Sequence, residues 1–336
     1  MTGASGFLGR HVLQALGSRG IPAIALVRDV GAWERMSWTR DLVDVTPLVG
    51  TVTETGRWES SPRLDGLRGV LHLGALVKHS RTGSDEVYRT NVDGTVNLTR
   101  IAADRGCRIV FASTSGTVGC FPAPGSAADE DAPFCTAEVA GWPYYHSKVL
   151  AEQAARSLAN DRGADLVIVR PPVLLGPGDH RFRSTGHLIR FLSGRLPFLV
   201  RGGIHYADVR DGCVALVHAL EIPSPRPIYH LVGTICPIQE FFALAGDVVG
   251  RAPPRLLVPP WIAWWLATLL KPFHLLPDPV VVELASHWWG TTSRYAEADL
   301  GYRSRPARDT IADTIDWLLA NHPDLARRPV DRRSSP

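Results

Sequence analysis

The first half of the chain alternates short apolar runs with longer amphipathic stretches. The apolar runs are predicted strands, and they cover residues 21–29, 69–75, 108–114 and 165–178. Apolar residues at helical spacing predict helices after the first glycines and over 87–106 and 147–161. Because strands alternate with helices, we expect a doubly wound α/β fold in which helices cover both faces of a parallel sheet.

Beyond residue 178 the alternation becomes irregular. Residues 206–233 still hold a strand, a helix and another strand, whereas 234–322 are mostly helical and contain six of the ten tryptophans. We therefore expect a dinucleotide-binding domain over 1–178, to which 206–233 returns. A smaller, mostly helical substrate lobe would come from 179–205 and 234–322. The tail, 323–336, is expected to be disordered.

The composition is that of an ordinary globular protein, 45% hydrophobic and 21% charged. A net charge of +3 is too small to favour a nucleic-acid partner. The five cysteines form no CxxC pair, so we expect reduced thiols, a cytoplasmic location and neither disulfides nor a bound metal.

The apolar stretch "WIAWWLATLL" (261–270) is a candidate for contact with a membrane. Its ten residues are half of the roughly 20 that a spanning helix needs, so a transmembrane helix is not expected. The first interpretation is a buried helix or a wall of the substrate pocket. The alternative is an interfacial helix that gives the protein a peripheral membrane contact.

The opening segment, "MTGASGFLGRH", spaces Gly3, Gly6 and Gly9 as in a turn that holds a dinucleotide pyrophosphate. The first glycine would permit the bend, the second would admit the pyrophosphate, and the third would let the helix pack on the sheet. The helix would add free amides and the positive end of its dipole. Such a turn normally follows a strand, but only Met1 and Thr2 precede it. The first strand therefore looks truncated, and we expect the natural chain to begin several residues earlier.

The end of the second strand bears on the choice of cofactor. An acidic residue there would bind the adenosine ribose hydroxyls, whereas an arginine would accommodate a 2′-phosphate. The chain has Arg28 followed by Asp29. Since Arg28 stands where the strand should end, the sequence favours NADP, with NAD as the alternative.

The segment "YYHSK" places Tyr144 four residues before Lys148. With 7 tyrosines in 336 residues and three lysines, chance gives roughly 0.06 such pairs. On a helix the two side chains share a face, and a lysine ammonium beside a phenol lowers the phenol's pKa. Tyr144 would then act as a general acid or base, and Lys148 could also bind the nicotinamide ribose.

A hydroxyl is also needed to hold the substrate oxygen. The segment "FASTSGTVG" (111–119) ends a predicted strand and offers Ser113, Thr114 and Ser115. Ligands bind at the carboxyl ends of parallel strands, but spacing alone does not choose among the three.

Several segments occur in the order typical of one family: TGASGFLG, HLGA (72–75), NVDGTVNL (91–98), FASTSGTVG, YxxxK and RPPVLLGPGD (170–179). On these the chain resembles an extended short-chain dehydrogenase/reductase of the NAD-dependent epimerase/dehydratase superfamily. It is most similar to the dihydroflavonol reductase and 3β-hydroxysteroid dehydrogenase branches. The resemblance covers about residues 1–320 and implies a Rossmann-like nucleotide-binding fold.

The resemblance also implies roles for individual residues. Thr114 would be the catalytic hydroxyl, Tyr144 the acid or base, Lys148 the ribose-binding residue, and Asn91 the support of a proton relay through water. The cofactor-binding residues would be Gly3, Ser5, Gly6, Phe7, Leu8, Gly9, Arg28, Leu73, Gly74, Ala75, Tyr144, Lys148, Pro171, Pro172, Val173 and Leu174. Where the family usually has an aspartate against adenine, this chain has Thr51.

The activity that the resemblance implies is NADP(H)-dependent interconversion of a ketone and a secondary alcohol. The tryptophan-rich lobe favours an apolar small-molecule substrate, such as a sterol, a polyketide or a phenolic ketone. One alternative is a nucleotide-sugar epimerase or dehydratase with NAD, whose diphosphate would meet Arg181, Arg183, Arg190 and Arg195. Another is a non-catalytic sensor of NADP. The resemblance further implies a homodimer paired through helices that include the YxxxK helix.

Overall fold

The computed structural model describes residues 1–273 and 275–326. Its strands are β1 (Ala23–Val27), β2 (Val45–Val49), β3 (Gly69–His72), β4 (Arg108–Ala112), β5 (Cys120–Phe121), β6 (Leu166–Arg170), β7 (Val173–Leu175), β8 (Leu199–Val200), β9 (Gly203–Asp208), β10 (Ile228–His230), β11 (Thr234–Pro237), β12 (Leu257–Val258) and β13 (Trp288–Trp289). Its α-helices are α1 (Phe7–Ser18), α2 (Val30–Glu34), α3 (Ser84–Tyr88), α4 (Gly94–Asp104), α5 (Thr136–Val139), α6 (Pro143–Arg162), α7 (Gly186–Leu192), α8 (Val209–Glu221), α9 (Ile238–Val249), α10 (Pro260–Leu269), α11 (Pro279–Ala285), α12 (Ala296–Leu300) and α13 (Ala307–Asn321). Most of the predicted disordered tail, 327–336, lies outside the described residues.

A parallel sheet forms the centre of the first half. Strands β10, β6, β4 and β3 pair in that order, and β1 pairs with β2. Met1 and Thr2 lie between these two groups: the amide of Thr2 donates to the Leu71 carbonyl at 3.0 Å, and the amide of Leu26 donates to the Met1 carbonyl at 2.9 Å. Two residues thus occupy the place of the strand that the glycine turn was expected to follow. The doubly wound order is confirmed.

Alternate residues of the central strands face opposite sides of this sheet. Val110 and Val167 pack with α1 and α8, whereas Ile109 packs with α4 and Ile168 packs against α6. The four strands of the larger group are therefore covered on both faces, which explains why their sequences are continuous apolar runs.

The second lobe has a core of its own. Apolar residues of α7, α9 and α13 meet there, including Phe191, Phe241 and Ile315. Within residues 206–233, α8 packs on α1 and β10 pairs with β6, so these two elements join the first half. The range 234–322 is not confined to the lobe, since Leu300 and Tyr302 join the core of the dinucleotide-binding half.

The predicted helix over 87–106 is present, but it is not a regular α-helix throughout. Residues Arg89–Asp93 form a π-helical turn between α3 and α4. Asn91 lies in this turn and is fully buried. Turns of this kind occur mostly at functional sites.

Helix α10 lies on the surface of the second lobe. Only Ala263 and Ala267 are buried in it, while Trp261 and Trp265 are exposed, so the interpretation as a buried helix is wrong. In the part of the chain that the structure describes, no helix has the length and apolar character needed to cross a bilayer.

Candidate active site

The glycine turn packs against the loop that follows β3. Gly3 has φ +69°, and a Cβ there would lie 2.7 Å from the Leu73 carbonyl carbon and the Gly74 nitrogen. The hydroxyl of Thr2 accepts a hydrogen bond from the Gly74 amide at 3.0 Å. Both the positive φ and the close backbone approach require glycine at position 3.

The start of α1 can hold an anion. Gly6 is the N-cap, and among the described residues no side chain caps this end, so the first-turn amides keep their capacity to donate. A Cβ on Gly6 would meet only the Gly3 carbonyl oxygen, at 3.1 Å, which leaves room beside the turn. The guanidinium of Arg181 donates to Ser5 Oγ at 3.3 Å. Open amides and an adjacent cation fit the diphosphate of a dinucleotide.

Most predicted cofactor residues lie on three neighbouring segments. They are the turn with α1 (Gly3, Ser5, Gly6, Phe7, Leu8 and Gly9), the loop after β3 (Leu73, Gly74 and Ala75), and the passage from β6 to β7 (Pro171, Pro172, Val173 and Leu174). Phe7 and Leu8 pack against the apolar cluster that contains Leu174, so the first and third segments share this cluster. The Pro171 carbonyl accepts from the Ser115 amide at 2.8 Å, which ties the third segment to the end of β4.

Arg28 follows the last residue of β1, and its side chain is exposed. Its neighbour Asp29 is the N-cap of α2 and accepts from the Ala32 amide at 2.9 Å. The positive charge of Arg28 acts on Arg181, the residue that contacts Ser5. Two cations therefore lie near the glycine turn, while the carboxylate at the strand end is engaged in capping.

Tyr144 and Lys148 both lie in α6, which starts at Pro143 and so includes the tyrosine. The Asn91 amide nitrogen donates to Ser147 Oγ at 2.9 Å and to the Leu76 carbonyl at 3.2 Å, and its oxygen accepts from the Leu76 amide at 2.7 Å. The π-helical turn thereby joins α6 to the loop after β3. Asn91 acts here as a brace, and its relay role stays a prediction.

Lys148 is buried beneath the site. Its ammonium nitrogen donates to the Ala112 carbonyl at 2.8 Å and lies 4.2 Å from the centroid of the Phe111 ring. Burial lowers the pKa of Lys148 to about 7, although the charge of Glu152 partly opposes this. Burial also raises the pKa of Tyr144 to about 12. The expected lowering of the tyrosine pKa by lysine is therefore wrong in this structure, because desolvation disfavours both charged forms.

Because Lys148 is buried, we expect it to lower the free energy of unfolding by an amount that depends on pH. In the unfolded chain the lysine keeps its proton up to its ordinary pKa of 10.5, whereas in the fold it loses the proton above about 7. The unfolded state binds more protons between these values, so this contribution to stability rises with pH across that window. In urea unfolding, we expect Lys148→Met to be more stable than the wild type at about pH 6, with a smaller advantage at about pH 9. Lys271→Met, at an exposed site, is the control, and an advantage that grows with pH would contradict the assignment.

The three candidate hydroxyls differ in their partners. Ser113 Oγ donates to the buried carboxylate of Glu152, as does Thr117 Oγ1 at 3.0 Å. Thr114 Oγ1 receives only a long hydrogen bond, 3.3 Å, from the Gly116 amide. Ser113 is thus engaged on the inner side of the strand end, which leaves Thr114 and Ser115 for a substrate oxygen. Thr114 remains the predicted residue.

Aromatic side chains surround Tyr144. The His79 ring packs edge-on against it at 6.0 Å between centroids, and the Tyr145 ring does so at 5.1 Å. Tyr145 stacks on Trp289 at 5.0 Å, and Trp142 lies 6.0 Å from Trp289. Burial, followed by the charge of Arg183, lowers the pKa of His79. Aromatic rings thus form a wall beside Tyr144.

Glu283 of α11 joins this wall to the second lobe. Its carboxylate accepts from Trp142 Nε1 and Trp264 Nε1, each at 2.7 Å, and from the Arg81 guanidinium at 2.7 Å. Burial acts to raise the pKa of Glu283, but these three donors outweigh it and hold the pKa below its ordinary value. Neither His79 nor Glu283 was predicted from the sequence, because neither lies in a recognised motif.

A glycine turn that fits a dinucleotide, together with a half-buried tyrosine and a buried lysine on one helix, defines an NAD(P)-dependent enzyme. The chain belongs to the NAD dependent epimerase/dehydratase family, whose model matches residues 1–231. The interpretation as a non-catalytic sensor is therefore set aside.

Named relatives extend over nearly the whole chain. A putative dihydroflavonol 4-reductase of Synechocystis is 28% identical, over 96% of this chain and 94% of that protein. Sterol demethylase protein B of Methylococcus capsulatus is 27% identical, over 95% and 97%. The crystal structure of gox2253 matches with a TM-score of 0.81 and 27% identity, over 96% of this chain and 97% of the other. The fold and the oxidoreductase class predicted from the sequence are thereby confirmed.

Proposed function

We propose that this enzyme interconverts a ketone and a secondary alcohol on an apolar, ring-containing molecule, with NADP(H) as its cofactor. The observation that carries the proposal is the position of Tyr144, which lies among His79, Tyr145 and the neighbouring tryptophans. The names of the relatives, a dihydroflavonol reductase and a sterol demethylase component, support a substrate of this kind.

The residues of the site would divide the work as follows. When bound, the nicotinamide would supply or accept the hydride. With a pKa of about 12, the Tyr144 hydroxyl keeps its proton at neutral pH and can donate it to a carbonyl oxygen during reduction. Thr114 Oγ1 would hold that oxygen. Lys148 would hold the nicotinamide ribose, and the glycine turn and Arg181 would hold the diphosphate.

The direct test is turnover. Purified protein is mixed with NADPH or NADH and a panel of ketones that includes a keto-steroid and a dihydroflavonol, and the loss of reduced nicotinamide is followed by absorbance. We expect NADPH oxidation with at least one ring ketone. Conversion of a sugar nucleotide without net consumption of cofactor would instead support the epimerase alternative. The charge of Arg183 near His79 is the observation that favours that alternative.

The choice of NADP predicts a specific effect of Arg28. Because a hydrogen bond to a charged group contributes about 1.5–3 kcal/mol, Arg28→Ala should raise the KM for NADPH about tenfold or more. The KM for NADH should stay nearly unchanged, since NADH lacks the 2′-phosphate. Arg19→Ala is the matched control, because Arg19 pairs with Glu221 at the other end of α1. An equal loss with both cofactors would contradict the assignment.

The homodimer that the family resemblance implies stays a prediction, with α6 as the expected contact. Peripheral contact with a membrane through 261–270 is also a proposal. The exposed side chains of α10 support it, as argued next.

A further inference from the structure

One part of the second lobe exposes an unusual amount of apolar surface. Eight of the 13 large apolar side chains that are exposed in the described part of the chain lie between residues 256 and 275, and we call this surface the apolar ridge. Its members are Leu256, Leu257, Trp261, Trp265, Leu266, Leu269, Phe273 and Leu275. The most exposed are Leu269 at 71%, Phe273 at 70% and Trp261 at 67%. Clustered exposure of this kind marks an interaction surface.

The inner face of α10, which carries part of the ridge, is packed against the second lobe. The opposite side of α10 packs through Ala263 and Ala267 against Val258 and Val282. Trp264 Nε1 is anchored by its hydrogen bond to Glu283. Four of the ridge side chains, those of Trp261, Trp265, Leu266 and Leu269, therefore project from a helix that is fixed on its inner face.

The segment that forms the ridge carries cations, and the first carboxylate after it, Asp278, pairs with one of them, Lys271. Residues 251–277 contain Arg251, Arg255 and Lys271 but no aspartate or glutamate. Arg255 is exposed, and Lys271 is half exposed with Asp278 at 3.0 Å, whereas Arg251 donates to backbone carbonyls. The ridge thus combines tryptophan, leucine and phenylalanine with a cationic border.

We propose that the apolar ridge docks on the surface of an anionic phospholipid bilayer, with α10 lying in the interface. Tryptophan favours the level of the lipid headgroups, and leucine and phenylalanine can enter the acyl boundary below it. Cations at the border are attracted to anionic lipid. A second copy of the chain is the other occupant that an apolar surface could take, and the sedimentation measurement below distinguishes it from lipid.

Docking would bring the side chains that join α10 to the neighbourhood of Tyr144 close to the membrane. Glu283 bonds both Trp264 of α10 and Trp142, which is two residues from Tyr144. If the substrate is apolar, as the proposed function holds, it could enter from the lipid without crossing water. The docking itself depends only on the ridge, so it can be tested without any substrate.

The experiment is flotation of the full chain with vesicles of phosphatidylcholine alone or of phosphatidylcholine with phosphatidylglycerol. We expect the wild type to float with the anionic vesicles and to lose binding as salt is raised. The double variant Trp265→Ser with Leu269→Ser should bind at least about tenfold more weakly, given the free energy of burying each side chain. Val43→Ser with Ile235→Ser, two exposed apolar positions away from the ridge, is the matched control and should bind like the wild type.

Three results would overturn the proposal. They are no flotation with either vesicle, equal flotation of the wild type and the ridge variant, and equal loss in the control. Sedimentation of all three proteins distinguishes a membrane-docking surface from a contact between two copies of the chain. If the ridge variant turns a dimer into a monomer and the wild type does not float, the ridge is a contact between copies and not with lipid. NADPH turnover is recorded in parallel, so that failure of docking is distinct from failure of the proposed reaction.

Discussion

Tyr144→Phe is expected to lower kcat about 10²–10⁴-fold, because it removes the proton donor and leaves the ring in place. Tyr144 is the tyrosine of "YYHSK" that lies four residues before Lys148. Burial raises the pKa of its hydroxyl to about 12, so it carries a proton at neutral pH. Binding of NADPH should change far less than kcat, because most of the predicted cofactor-binding residues lie on other segments and the tyrosine ring is kept. The measurement is kcat with a ring ketone, together with titration of NADPH by energy transfer from tryptophan.

The matched control is the neighbouring tyrosine. Tyr145 stacks on Trp289 at 5.0 Å, and this packing uses its ring and not its hydroxyl. Tyr145→Phe should therefore keep kcat within a few-fold of the wild type. Full activity in Tyr144→Phe, or an equal loss in the two variants, would exclude Tyr144 as the proton donor.

Arg170→Met is expected to lower the free energy of unfolding by about 3–5 kcal/mol. Arg170 and Glu152 form an ion pair in which both side chains are almost fully buried, with Nη2 and Oε2 2.6 Å apart. His230 joins this buried pair, with its Nε2 3.1 Å from Arg170 Nη1. Without the guanidinium, the Glu152 carboxylate would stay buried with only the hydroxyls of Ser113 and Thr117 as donors. Equilibrium unfolding in urea measures the loss.

A surface pair provides the comparison. Arg162 pairs with Asp104 at 2.7 Å, but both side chains are 46% exposed, so Arg162→Met should cost no more than about 1 kcal/mol. The double variant Arg170→Met with Glu152→Gln should recover part of the loss, because no unpaired charge then remains in the core. A similar loss in the two arginine variants, or a further loss in the double variant, would refute this account.

Local patterns in the sequence were sufficient to predict the sheet and the cofactor turn. The spacing of Gly3, Gly6 and Gly9 and the apolar strand runs are properties of neighbouring residues, and the structure places them as expected. Tyr144 and Lys148 could be placed on one helix for the same reason, since a spacing of four residues is visible in the sequence, and both lie in α6.

The remaining features depend on contacts between distant segments. Glu283 meets Trp142 from 141 positions away and Arg81 from 202 positions away, and no periodicity encodes such meetings. The wrong pKa expectation for Tyr144 has a similar origin, because the depth of burial is set by the whole fold. The outer face of α10 was misjudged because an apolar helix has the same pattern whether or not another segment covers it.

The π-helical turn at Arg89–Asp93 constrains how this enzyme can change in length. A π-turn holds one residue more than an α-helix of the same span, and each residue of an α-helix turns the chain by about 100°. Loss of a single residue there would leave a regular helix but rotate Asn91 away from Ser147 and Leu76. The loop after β3 and the helix that carries Tyr144 would then lose their common support. Insertions and deletions among relatives should therefore avoid these five residues, even though the segment looks like an ordinary helix in sequence.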